Sequence, residues 1–568
     1  MKKNHYRRRK PRDYAPHTEI DRTARARRIL RKNILDRMPD RIPDLYPAAR
    51  ELHRRFVLHI GPTNSGKTHE AMEAARAAGN GIYLGPLRLL AYEQYDRLNR
   101  DGYPCDLVTG EEEIYVEGAS YRASTVEMLP PETYYDVAVI DEAQMVSDRQ
   151  RGGAWTAAIL GVLAKEVHVC LAPEAEECVI RLIRDCGDEY RTVRHERMTP
   201  LVADTHSYSF PKSVEPGDAL IVFSRKDVHA VAAILQESRR ISCSVIYGAL
   251  PYDVRHKQAE DFASGRSGVV VATDAIGMGL NLPIRRVVFL QTEKFDGTER
   301  RELTPPEVKQ IAGRAGRYGI HETGYYNTIR SKSFLIGAME EEPVPVAAAF
   351  VSFPETLIGL GDKLSATMVQ WIAIPSAPGY EKADITEELK LCLIAEERTE
   401  DRRLIYRFAT MPFDSEDEYL MLLWMEMLEC QVQGRKLDYS EARLAGLGAE
   451  TGAEGYFKTR YSGYSPPGGS GGGPVRGKED EDADMLAVLE RQFAVCDLLY
   501  YYRTRFEPEE FSWVLPAKNR ISERIIAILD KQSLKPRTCR YCGKKLPWDS
   551  RYGICRKCYE RGLRRWRR

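Results

Sequence analysis

The loop Gly61-Pro62-Thr63-Asn64-Ser65-Gly66-Lys67-Thr68 has residue types and spacing suited to holding the phosphates of a nucleotide. It fills every fixed position of the pattern G-x-x-x-x-G-K-[ST]. Its glycines let successive backbone N–H groups turn toward phosphate oxygens, and the following helix brings its positive N-terminal end to the same anion. Lys67 is expected to reach the β- and γ-phosphates, and the Thr68 hydroxyl to ligate Mg²⁺. The competing reading is an ordinary glycine-containing turn. The apolar run Val57-Leu58-His59-Ile60 before the loop and the helix-forming stretch from Glu70 to Ala78 after it favour the nucleotide site.

About seventy residues further on, Asp141-Glu142-Ala143-Gln144 follows the apolar run Val137-Ala138-Val139-Ile140. Two carboxylates then lie at the C-terminal end of a strand, where open α/β sheets bind ligands. Asp141 is expected to hold Mg²⁺ through its water shell, and Glu142 to orient or deprotonate an attacking water. Gln310-Ile311-Ala312-Gly313-Arg314-Ala315-Gly316-Arg317 sets two guanidinium groups one helical turn apart, suited to charge developing on a γ-phosphate. A plain basic helix face is the alternative, and the flanking glycines argue against it. The segment from Ala272 to Asn281, with Thr273 and Gly277, reads as a link between the nucleotide and a second ligand across a cleft.

A second chemistry sits at the C-terminus, in Cys539-x₂-Cys542-x₁₂-Cys555-x₂-Cys558. Two C-x₂-C pairs suit a closed tetrahedral zinc site, with redox or free thiols as the alternative. So short a segment has no core of its own to fold around. Arg537, Arg540, Lys544, Lys545, Arg556, Lys557, Arg561, Arg564, Arg565 and Arg568 surround it, with Tyr541, Tyr559 and Trp566 interleaved. Cations beside aromatic rings suggest a nucleic-acid tab; the alternative is a structural knuckle with a solvated basic face.

The elements that must position these groups follow from hydrophobic patterning. Short apolar runs alternate with helical stretches from about residue 56 to 192 and again to about 335, which predicts two tandem doubly wound α/β units with parallel sheets. Only the first has a phosphate loop, so the nucleotide is expected between them. Leu420, Leu423, Trp424, Met427 and Leu428 then form one stripe of an amphipathic helix, expected to be core. The expected divisions are a basic arm with one short helix, roughly Asp21 to Arg37 (1–50), the ATP-binding unit (51–200), the second α/β unit (201–335), a helical region (336–445), a Gly/Pro/acidic linker (446–484), a helical segment (485–532) and the zinc knuckle with its basic tail (537–568).

The 568 residues have a net charge of +1, so overall charge does not advertise a nucleic-acid partner. The distribution says more: residues 1–32 hold thirteen Lys/Arg against three acids, and residues 551–568 hold eight against one. Such arms are either solvated tails or nucleic-acid contacts. Twelve cysteines in this length, eight of them scattered through apolar segments, indicate a reducing compartment rather than a disulfide framework. No membrane span is expected. The N-terminus shows no secretory core, and its acidic residues argue against an organellar transit peptide, so a bacterial-type cytoplasmic location is expected.

Taken as a set, these motifs resemble those of superfamily-two DExH-box helicases, with Gly61–Thr68 as motif I, Asp141–Gln144 as motif II, Thr273–Gly279 within motif V and Gln310–Arg317 as motif VI. The stretches Gly85-Pro86-Leu87-Arg88-Leu89-Leu90-Ala91, Thr109-Gly110-Glu111-Glu112-Glu113, Ser124-Thr125-Val126-Glu127-Met128 and Tyr247-Gly248-Ala249-Leu250-Pro251 narrow the resemblance. They are similar to the RNA helicase of the mitochondrial degradosome and its bacterial relatives, the Suv-three type. The resemblance covers residues 56–335 well and the following helices loosely. It implies RecA-like lobes, Gln310, Arg314 and Arg317 facing the γ-phosphate, and Arg88, Thr109, Thr125 and Thr273 lining a single-strand track. It further implies 3′-to-5′ movement on RNA, with DNA as an alternative and an exoribonuclease as the candidate protein partner. Where that family usually has Gly-Glu-Pro as motif III, this chain has Leu171-Ala172-Pro173-Glu174-Ala175.

The function expected is therefore ATP-dependent RNA unwinding in RNA degradation or processing, with ATP, Mg²⁺ and structural Zn²⁺. The alternatives are an ATPase that translocates or remodels without separating strands, and a non-catalytic RNA-binding adaptor.

Overall fold

The computed structural model describes residues 17–110, 112–277, 282–295, 299–447, 481–506, 511–530, 538–539, 541–550 and 554–560. Outside these lie Glu111, the end of the Ala272–Asn281 segment (278–281), most of the expected linker including residues 462–474, and Arg537, Arg540 and Trp566 of the C-terminal tab.

The first group of apolar runs forms a sheet of eight strands: β1 (Arg55–Ile60), β2 (Gly81–Gly85), β3 (Cys105–Val108), β4 (Glu113–Ile114), β5 (Tyr121–Thr125), β6 (Tyr135–Ile140), β7 (Ala164–Leu171) and β8 (Glu189–Arg194). Their order is β4-β3-β5-β2-β6-β7-β1-β8, parallel throughout except for β3 with β4. Central strands are apolar on both faces because helices cover both. Ile82 and Leu84 enter one core and Tyr83 the other, as the two-residue period of a strand requires. Patterning missed β3, β4, β5 and β8. Each is either short or polar on one face; β8, at the sheet edge, reads Glu-Tyr-Arg-Thr-Val-Arg.

The second sheet comprises β9 (Leu201–Ala203), β10 (Asp218–Ile221), β11 (Cys243–Ile246), β12 (Val269–Ala272), β13 (Arg286–Phe289) and β16 (Gly324–Thr328), all parallel, in the order β11-β12-β10-β13-β16-β9. β14 (Glu293–Phe295) and β15 (Arg300–Glu302) form a separate antiparallel pair.

Two expected divisions differ in the structure. The short helix expected in the arm of residues 1–50 is present, as His17–Arg37, but it is docked rather than free: it buries Ile34 and Leu30 in the core shared with the helix Leu364–Ala373. Arg54, just beyond, is clamped by Asp188 at 2.6 Å and by the carbonyls of Ile159 and Val162. The region expected to be helical after residue 335 also contains a parallel strand pair, β17 (Ala349–Val351) with β18 (Tyr380–Lys382), whose Ala349, Val351 and Tyr380 complete the core of the first lobe. The apolar stripe Leu420, Leu423, Trp424, Met427 and Leu428 is buried in the helix Glu418–Val432. Its core is continuous with the helices Glu481–Phe506 and Val514–Asp530 and with one face of the second lobe.

Candidate nucleotide site and strand track

β1 ends at Ile60, and the chain turns through residues 61–66 into the helix Lys67–Ala77. Two glycines make that turn possible. A Cβ on Gly61 would lie 2.4 Å from the His195 carbonyl oxygen, and Gly66 has φ +84°. Lys67 Nζ lies back over the loop and donates to the carbonyls of Gly61 (2.5 Å) and Pro62 (2.9 Å). Ser65 donates to Pro62 O at 2.8 Å.

β6 delivers Asp141 beside this loop. Its carboxylate accepts from Thr68 Oγ1 at 3.1 and 3.2 Å and from Tyr83 OH at 2.9 Å. Hydroxyl and carboxylate therefore converge as a hard-oxygen pair, which fits Mg²⁺. Asp141 is 4 % exposed, and burial together with the neighbouring Glu142 raises its pKa to about 6. Glu142 adopts φ +51°, a left-handed conformation unusual for this residue. Gln144 then joins two motifs: its amide N–H donates to Glu142 Oε2, and its Oε1 accepts from Ala172 N at 3.1 Å. Ala172 belongs to the segment whose sequence departs from the family pattern, so the link is made by backbone.

The second lobe meets the phosphate loop directly. Asn64 Nδ2 donates to Gly313 O at 3.0 Å, and a Cβ on Gly313 would lie 3.1 Å from Thr63 Cβ. Arg314 donates to Gly277 O at 2.9 Å through Nε, and Gly277 packs against Gln310. Burial lowers the Arg314 pKa, while Glu142, Asp141 and Glu93 oppose that shift from across the cleft. Arg317 is half-buried near Glu93, whose carboxyl is raised by burial and opposed by the Arg317 charge.

Sequence reasoning missed Arg197, in the connection between the lobes. It donates to Thr63 O (3.1 Å) of the phosphate loop, to Gly313 O (2.9 Å) and Ala315 O of the second lobe, and to Thr199 O (2.7 Å). Burial, with Arg314 nearby, lowers its pKa to about 10, which leaves it charged at neutral pH. One guanidinium thus clasps both sides of the cleft. No spacing rule marks a lone arginine in a connecting segment, so nothing in the one-dimensional pattern pointed to it.

The residues expected to line a strand are distributed along the C-terminal edges of both sheets. Arg88 follows β2, Thr109 follows β3, Thr125 ends β5, and Thr273 follows β12. Arg88 pairs with Glu112 at 2.5 Å and lies 5.2 Å from the ring centre of Tyr252 in the second lobe. The hydroxyls of Thr109 and Thr273 serve local turns: Thr109 Oγ1 is bonded to Glu112 O at 3.0 Å, and Thr273 Oγ1 accepts from Ala275 N at 3.3 Å. Both are buried. The C-terminal helices overhang this edge, with Tyr500 OH accepting from Glu113 N at 3.2 Å and Glu490 accepting from Tyr247 OH at 2.7 Å and from Arg225.

The four C-terminal cysteines lie elsewhere. Their sulfur atoms all fall within 4.8 Å of one another, and Gly543 N donates back to Cys539 O at 2.8 Å, with Gly543 at φ +66°. Backbone N–H groups of Cys555, Tyr541 and Cys542 draw the Cys539 thiol down to about 6. A preformed sulfur cluster with one thiol already biased toward thiolate fits Zn²⁺. The module is docked on the second lobe. Trp548 meets Phe210 edge-on at 6.1 Å, Asp549 pairs with Arg330 at 3.1 Å, and Lys545 pairs with Glu237.

Among the described residues, no helix is long and apolar enough to cross a membrane.

Comparison with known proteins agrees with this geometry. Residues 43–195 match the DEXQ-box helicase domain of Suv3, and residues 203–319 match the helicase conserved C-terminal domain. The fourth motif II residue, Gln144, is thus the one that this branch's own domain description names, rather than the histidine of the broader DExH pattern. The Arabidopsis thaliana DExH-box ATP-dependent RNA helicase DExH16, mitochondrial, is 47 % identical over 275 residues, 48 % of each chain. The Oryza sativa ATP-dependent RNA helicase SUV3, mitochondrial, is 40 % identical over 385 residues, 66 % of each. The Homo sapiens ATP-dependent RNA helicase SUPV3L1, mitochondrial, is 42 % identical over 321 residues, 54 % of this chain and 41 % of the relative. The chain thus spans from about two fifths to two thirds of the length of these relatives. All three are mitochondrial by name, which overturns the expectation of a bacterial-type cytoplasmic location. With the two matched domains in tandem and their cleft closed around the phosphate loop, this chain belongs to the Suv3-type branch of the superfamily-two helicases.

Proposed function

We propose that this protein is an ATP-dependent RNA helicase that hydrolyses ATP between its two lobes and moves 3′ to 5′ along a single strand. The observation that supports this most directly is the meeting of Lys67, Thr68, Asp141 and Glu142 with the Gly313–Arg314 turn and Arg197 at one cleft. Mg²⁺, when bound, neutralises phosphate charge, and Thr68 and Asp141 are the residues to hold it. Lys67 exchanges its two carbonyl partners for phosphate oxygens. Glu142, oriented by Gln144, takes the proton of the attacking water. Arg314 and Arg317 stabilise charge on the transferred phosphoryl group. The Gln144 link to Ala172 then passes the state of the γ-phosphate to the backbone after β7.

RNA lies across the C-terminal edges of both sheets, past Arg88, Thr109, Thr125 and Thr273, beneath the helices Glu481–Phe506 and Val514–Asp530. Zn²⁺ is held by Cys539, Cys542, Cys555 and Cys558 and fixes the module that buttresses the second lobe. The reading places the protein in RNA processing or degradation. The test is duplex unwinding on matched RNA and DNA substrates with 3′ or 5′ tails, beside ATP turnover. Unwinding of 3′-tailed RNA is expected, lost in Lys67→Ala and Glu142→Gln. Turnover without strand separation would make the protein a translocase, and strand binding without turnover an adaptor.

A further inference from the structure

A second cluster of titratable groups lies behind the phosphate loop rather than in the cleft. His59, on β1 two residues before Gly61, is 1 % exposed. Its Nε2 lies 2.8 Å from His168 Nδ1, and His168 Nε2 lies 2.7 Å from a carboxylate oxygen of Glu166. A carboxylate can only accept, so His168 Nε2 holds the hydrogen and His168 Nδ1 is a lone pair. That lone pair is filled by His59 Nε2–H. The order of donors leaves a bare lone pair on His59 Nδ1, and this atom faces His195 Nε2 at 3.0 Å. Glu70 Oε2 lies 3.7 Å from the same His195 nitrogen.

We propose that His59 Nδ1, His195 Nε2 and the Glu70 carboxylate form a binding site for a zinc-class divalent cation. Atoms of these three residues lie within 4.8 Å of one another, a span that metal–ligand bonds of about 2.0–2.2 Å close with small side-chain shifts. Two imidazoles and a carboxylate leave a fourth position for water, unlike the closed cysteine site at the C-terminus. The Glu166–His168–His59 chain supplies the carboxylate-to-histidine support that orients a metal-bound imidazole. A single proton on His195 Nε2 competes for the same space, so the apo site is satisfied by a hydrogen bond and the ion displaces it.

Placement gives the site its consequence. Its ligands come from β1 before the phosphate loop, from the helix Lys67–Ala77 after it, and from the connection between lobes two residues before Arg197. A bound ion ties these three together and stiffens a loop whose Lys67 must leave the Gly61 and Pro62 carbonyls to meet phosphate.

The test uses the full chain titrated with cobalt(II). Cobalt held by cysteines shows sulfur-to-metal charge transfer, whereas cobalt held by nitrogen and oxygen does not, so the two sites are read separately. Wild type is expected to take up one sulfur-free equivalent, with ATP turnover falling as it fills. Glu70→Gln and His195→Asn should lose that equivalent while keeping the cysteine-bound one. His168→Gln should weaken it about 10- to 100-fold, the usual cost of losing a supporting partner. Glu70 is 57 % exposed, so its variant is a surface change, and an unaltered circular dichroism spectrum checks the fold. Absence of a sulfur-free equivalent in wild type overturns the proposal. So does uptake by Glu70→Gln and His195→Asn equal to that of wild type.

Discussion

Arg197→Ala should lower RNA-stimulated ATP turnover by about 30- to 140-fold while leaving each lobe folded. Arg197 sits in neither matched helicase domain, yet it bridges Thr63 O on one side of the cleft with Gly313 O and Ala315 O on the other. A hydrogen bond to a charged donor contributes about 1.5–3 kcal/mol when buried. Arg197 is only half-buried, so about 2–3 kcal/mol in total for the three bridging bonds is the appropriate scale. If that energy is expressed in the closed, reactive arrangement, a tenfold loss per 1.4 kcal/mol gives the stated range. Arg197→Lys keeps the charge but has three donors on one nitrogen, too compact to reach four separated carbonyls, and should recover little. The assay is steady-state ATP turnover at saturating RNA, with thermal unfolding as the control. Turnover within twofold of wild type at unchanged stability would refute the clasp.

The raised pKa of Asp141 makes a sign-specific claim. Because the folded-state value, about 6, lies above that of the unfolded chain, ionising this carboxyl costs folding stability as pH rises from about 4 to about 6, and the cost stays in full above that. Asp141→Asn should therefore stabilise the nucleotide-free protein by about 2–3 kcal/mol at pH 7.5, with no gain near pH 4, while abolishing turnover; a gain independent of pH in thermal unfolding would reject the cause. Gln144→Ala removes the bridge from Glu142 to Ala172 and should cut RNA-stimulated turnover about tenfold with ATP affinity unchanged. Equilibrium nucleotide binding beside turnover separates this from a binding defect. Trp548→Ala should release the zinc module from Phe210, giving faster proteolytic cleavage of the module, at unchanged zinc content. Protection equal to wild type would show that the two ion pairs suffice to dock it.

What one-dimensional pattern determined is what local chemistry determines. The phosphate loop is legible because its backbone demands glycine at Gly61 and Gly66, and because an apolar strand and a helix must flank it. The central strands are legible because burial on both faces leaves no room for polar residues, and the cysteine knuckle because four ligands within twenty residues have few other uses. Edge strands such as β8 were lost because one exposed face erases the apolar run. The docking of the N-terminal helix was not legible because only Leu30 and Ile34 of its described residues are buried, too few to outweigh the surrounding arginines.

Tertiary structure alone decided how the two lobes meet. Arg197 and Thr63 are separated by more than a hundred residues, as are His59 and His168, and Phe210 and Trp548 are further apart still. Contacts at that separation depend on the relative placement of whole sheets, so no spacing rule encodes them. The same holds for Asp141, whose carboxyl is an ordinary acid in the sequence. It becomes a perturbed one only because folding removes water and sets Glu142 beside it.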